Sequence, residues 1–93
     1  MKTDEKMSTF DRGILVVAKM FIEQIKIGVL DSRYYDNCEE LNDFMFKYGH
    51  YLYSNDIRSY AILLGFLEQL KKFNPARKIY CSKDLFKNSA INN

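Results

Sequence analysis

Ninety-three residues carry 14 basic and 12 acidic side chains, with 47% hydrophobic and 28% charged residues. A chain of this size supports one hydrophobic core, and its composition excludes wholesale disorder, a collagen-like fibre and a mucin-like stalk. Four Gly and one Pro are too few turn formers for the tight connections of a small β-sandwich or barrel, which leaves a mostly helical single domain over 1–93.

Residues 1–9 are polar and aperiodic and read as a flexible N-terminal tail, charged from the start and without the apolar stretch of a secretory leader. The first helix is predicted to begin after Ser8 or Thr9, either able to cap it, and to stop near Ile27 and Gly28. Ile14, Ala18, Phe21, Ile22, Ile25 and Val29 recur at three and four residues and form its core stripe. Val16, Met20 and Ile27 form a second apolar stripe, so this helix either touches two neighbours or meets a partner molecule. Lys19, Glu23 and Lys26 interrupt the stretch, which is therefore no membrane span.

A connector through Leu30 and Tyr35 leads to Asp36 or Asn37 as N-cap, and a second helix is expected from Cys38 to about Tyr53. Leu41, Phe44, Met45, Tyr48 and Leu52 share its inner face, while Glu39 and Glu40 suit the positive end of its dipole. Gly49 weakens the helix by about 1 kcal/mol relative to Ala and is a candidate break. Ser54, Asn55 and Asp56 then supply caps for a third helix over 57–73, which Asn74 and Pro75 end. Its core face is Tyr60, Leu63, Leu64, Leu67 and Leu70, with Ile62, Phe66 and Phe73 expected to pack on a second neighbour. The fold class is thus all-α: a compact bundle of three main helices over 10–73, with a short docked C-terminal segment at 76–88 that has room for a fourth short helix at 82–86.

Catalytic chemistry finds little support. The one histidine, His50, stands in no recognisable triad motif, and Cys38, His50 and Cys81 lack the spacing of zinc ligands. The four glycines are scattered singly, which provides no phosphate loop. No enzyme activity, metal or cofactor is expected, and both cysteines read as reduced thiols in a cytoplasmic protein.

Charge is polarised along the chain. Residues 71–93 hold six basic side chains and one acidic (net +5), whereas residues 1–70 hold eight basic against eleven acidic (net −3). Lys71, Lys72, Arg77, Lys78, Lys83 and Lys87, interleaved with aromatic rings such as Tyr80, have the composition of a phosphate-contacting strip. Asp36, Glu39, Glu40 and Asp43 form an acidic row on the second helix, able to imitate phosphates before a basic groove. If that helix continues through Gly49, Phe46, His50 and Tyr53 lie at i, i+4 and i+7 away from the core, as aromatic anchors of a protein contact.

These features favour a small non-catalytic protein that binds a larger protein or nucleoprotein complex stoichiometrically, as inhibitor, adaptor or regulatory subunit. Small size and the Ile, Lys, Asn, Tyr and Phe bias of AT-rich coding sequence are compatible with a phage or mobile-element origin. The alternatives are RNA or DNA binding through the basic-aromatic C-terminal strip, and a homodimer joined by the second stripes of the first and third helices.

Overall fold

The computed structural model describes residues 8–79, and within them three α-helices and no strand. Helix α1 is Thr9–Lys26, α2 is Glu39–Asn55 and α3 is Ile57–Phe73, with a 3-10 turn at Tyr35–Cys38 before α2. The chain is an all-α three-helix bundle. The Ser8 hydroxyl accepts a hydrogen bond from the Asp11 N–H at 3.0 Å and caps α1, a feature worth about 1 kcal/mol. The helix therefore starts one residue inside the expected tail. Residues 1–7 of that tail, Tyr80, Cys81 and the fourth helix at 82–86 lie outside the described residues.

Gly28 ends α1 with φ +86°, a left-handed conformation that only glycine adopts without strain. Its N–H donates to the Ile25 carbonyl at 3.2 Å and the Val29 N–H to Gln24 at 2.9 Å, the paired bonds of a Schellman motif. This reversal carries Val29 off the helix surface. It is 56% exposed rather than part of the core stripe, while Ile14, Ala18 and Phe21 are buried and Ile22 and Ile25 half-buried.

The start of α2 differs from expectation. Neither Asp36 nor Asn37 caps it; Cys38 occupies the cap position with no side-chain cap bond. Asn37 instead donates to the Val29 carbonyl at 3.1 Å, and the Asp31 carboxylate accepts from the Arg33 N–H and guanidinium. These contacts tie the connector to itself and to the end of α1, so the chain enters α2 through a 3-10 turn. Gly49 causes no break. It is buried inside α2, which runs on to Asn55.

One residue, Asp56, links α2 to α3, and its carboxylate accepts from the Ser59 N–H at 3.3 Å and hydroxyl at 2.9 Å. Leu63, Leu67 and Leu70 are fully buried, facing Leu41, Met45 and Leu52 of α2 within one apolar cluster. The α2–α3 pairing is the most extensive of the three and α1–α2 the thinnest. Among the described residues no further element covers a second side of α1 or α3. Val16, Met20 and Ile27 on α1 and Ile62 and Phe73 on α3 are accordingly exposed, and of the second stripes only Phe66 is buried.

The segment after α3 docks as far as it is described. Asn74 donates to the Ser32 carbonyl at 3.0 Å, Tyr35 and Asn42 both reach the Lys78 carbonyl at 3.4 Å, and Ile79 is buried. Asn42, a polar residue at 2% exposure, is thus part of the clasp that closes this end of the bundle.

Candidate partner-binding surfaces

Because α2 is unbroken, its outward arc carries the residues singled out for a partner. Asp36, Glu39, Glu40 and Asp43 are all exposed around its N-terminal end, and Asp36 lies 3.6 Å from the Arg77 guanidinium. That exposed pair contributes little to stability. Further along, His50 is exposed and Tyr53 is 47% exposed, its ring set edge-on to Tyr60 at 5.2 Å. Phe46 departs from the expectation: it is half-buried and packs against the core, so only part of its ring is available. His50 and Tyr53 therefore make up the aromatic end of this face, with Glu39 and Asp43 at its acidic end.

Of the proposed basic strip, Lys71, Lys72, Arg77 and Lys78 are among the described residues. Lys71 and Lys72 are adjacent on α3 and so diverge by about 100°. Arg77 is stacked over the Tyr35 ring at 4.7 Å, beside Asp36, and Lys78 is exposed with its carbonyl engaged by Tyr35 and Asn42. Tyr80, Lys83 and Lys87 lie outside the described residues.

A third surface was only partly legible in the sequence. Between α1 and α2, a groove of about 290 Å³ is lined by Phe10, Gly13, Ile14, Val17, Phe44 and Tyr48. It opens into a second hollow of about 270 Å³ that shares Val17, Phe44 and Tyr48 and is rimmed by Glu40, Asp43 and Lys47. The groove exists because α1 and α2 touch so little. Phe10 and Tyr48 meet edge-on at 6.1 Å across its upper end, and Phe21 and Phe44 pack at 5.3 Å beneath it. Of the stripe Val16, Met20 and Ile27 none lines the groove, and Phe10 and Val17, which do, carry no such role in the periodicity of that stripe.

Cys38 and His50 sit twelve residues apart along α2 and its cap, roughly 18 Å at the helical rise, so they do not converge on one ion. Among the described residues no three His, Cys, Asp or Glu side chains are placed to hold a metal. Cys38 is fully buried, and desolvation pushes its thiol up to about 11; its S–H donates to the Asp31 carbonyl at 3.3 Å. A thiol that is both covered and protonated resists alkylation. In native protein at pH 8 Cys38 is expected to stay unmodified by iodoacetamide while reacting fully in denaturant, as peptide mass spectrometry would read; native labelling at the denatured rate would contradict its burial. With the folded-state value above that of the unfolded chain, this thiol favours the folded state below about pH 9 and loses that effect as pH rises through about 11.

Comparisons with family models, curated proteins and solved structures gave no match. No helix among the described residues is long and apolar enough to cross a membrane.

Proposed function

We infer that this chain is a non-catalytic interaction protein that binds a larger protein or nucleoprotein complex stoichiometrically through the outer face of α2, as an inhibitor, adaptor or regulatory subunit. The observation that supports this reading is the continuity of α2 through Gly49, which puts the carboxylates of Glu39 and Asp43 on the same outward arc as His50 and Tyr53. Such a face offers charge for steering and an aromatic contact at its far end. The matching partner surface is basic, with an apolar site for the Tyr53 ring.

Charge reversal tests this directly, since Glu39 and Asp43 are exposed and their substitution leaves the core untouched. The full chain and its Glu39→Lys, Asp43→Lys variant would be immobilised side by side and exposed to extract from the native source, with and without nuclease. A protein retained by the wild type, reduced at least about tenfold on the variant and indifferent to nuclease supports the reading. Equal retention on both chains defeats it, and retention lost to nuclease transfers the activity to nucleic-acid binding.

A further inference from the structure

Beside its core stripe, α1 carries a second seam. Phe10, Gly13, Val17, Met20, Gln24 and Ile27 recur at alternating intervals of three and four residues, the spacing with which one helix packs along another in a coiled-coil contact. None of the six is buried: Phe10, Met20 and Ile27 are 65%, 54% and 63% exposed, Val17 is 36% exposed and Gln24 is half-covered. The edge of the seam runs into the groove over Phe44 and Tyr48. Tyr48 of α2 meets the seam edge-on at Phe10, whose ring nevertheless stays 65% exposed.

The order of side chains says what fits there. Set antiparallel against a second copy, the seam matches Phe10 with Ile27, Gly13 with Gln24 and Val17 with Met20, and a two-fold axis repeats every match. This is the self-complementarity that an isologous interface demands. Sizes also agree layer by layer, because the position without a side chain faces a long one and the remaining layers pair apolar groups. No layer brings two like charges together. With the flanking Val16, 56% exposed, the seam presents on the order of 500 Å² per chain. Two copies therefore cover on the order of 1,000 Å², about the area a specific interface must clear. On α3 the exposed Ile62 and Phe73 are separated by the buried Phe66, which leaves no comparable continuous strip.

We propose that the occupant of the α1 face is α1 of a second copy, packed antiparallel through this seam, so that the protein in solution is a two-fold dimer. The seam is a different surface from the outer arc of α2 that carries the proposed partner contact, so either can fail without the other. The dimer would display that arc twice and bind a multivalent partner with a gain from linkage alone.

Sedimentation equilibrium of the full chain, from low to high micromolar concentration, reads the assembly directly. The expected mass is twice the 11.0 kDa of one chain, and Met20→Glu or Val17→Lys, each at an exposed position, should raise the dissociation constant at least about tenfold with far-UV helicity unchanged. Mixing the two variants should restore a heterodimer, because antiparallel register sets Glu at 20 against Lys at 17. Ile62→Glu on α3 should leave the mass unchanged. A single-chain mass at high micromolar concentration overturns the proposal, and would mean that residues 1–7 or a different protein covers this face. A dimer indifferent to both seam substitutions, one broken by Ile62→Glu, or a mixture that stays monomeric overturns it equally.

Discussion

Leu67→Ala is expected to lower the unfolding free energy by about 2–5 kcal/mol, the range for deleting a buried leucine side chain where the surroundings close only partly. Leu67 is fully buried in the middle of α3, in one cluster with Leu41, Met45 and Leu52 of α2. A domain of this length has a total stability of roughly 5–14 kcal/mol, so the substitution removes a large share of it. Urea denaturation followed by far-UV circular dichroism measures the change, with Glu68→Ala on the solvent side of the same helix as a control expected to stay within about 0.5 kcal/mol. A Leu67→Ala chain as stable as the control would show that α3 is not the centre of the core.

Ile79→Asp has the second largest expected effect. Ile79 is 3% exposed and anchors the segment whose Lys78 carbonyl accepts from Tyr35 and Asn42 and whose Asn74 side chain donates to the Ser32 carbonyl. A carboxylate cannot stay ionised at that position without water or a cation, so the segment must lift off the bundle. Loss of the buried side chain and of the clasp bonds is expected to cost about 3 kcal/mol or more. Trypsin cleavage after Arg77 and Lys78 should accelerate in parallel, because release exposes backbone that docking protects. Unchanged cleavage and unchanged urea midpoint would show that Ile79 contributes nothing to the core.

The helix ends were readable where local chemistry alone decides them. Ser8, Gly28, Asp56 and the Asn74-Pro75 pair act within three or four residues of chain, and each stands where its cap or stop chemistry requires. The start of α2 was misread because Asn37 is held by the Val29 carbonyl, a partner eight residues back that no N-cap rule considers. Periodicity told which residues share a face, and Leu63, Leu67 and Leu70 are buried as it required. It could not tell which face finds a neighbour, so Ile62 and Phe73 were assigned a packing role that solvent took instead. The Asn42 contact to Lys78 spans 36 positions and left no local mark, since a polar residue near an acidic row looks like surface. For the candidate face, the acidic residues were legible as a row of charge, whereas the half-burial of Phe46 depended on how α2 is rotated against the core.

The single-residue link at Asp56 also bears on the order in which the molecule assembles. Closing a chain between α2 and α3 costs almost no loop entropy, while bringing α1 onto them must order a connector of twelve residues, 27–38. Local contacts form fastest, so the hairpin of residues 39–73 is the natural nucleus and α1 the last helix to condense on it. The helix with the fewest ties to its α2 neighbour is thus also the one that arrives late, and until it does Phe44 and Tyr48 lie open to other molecules.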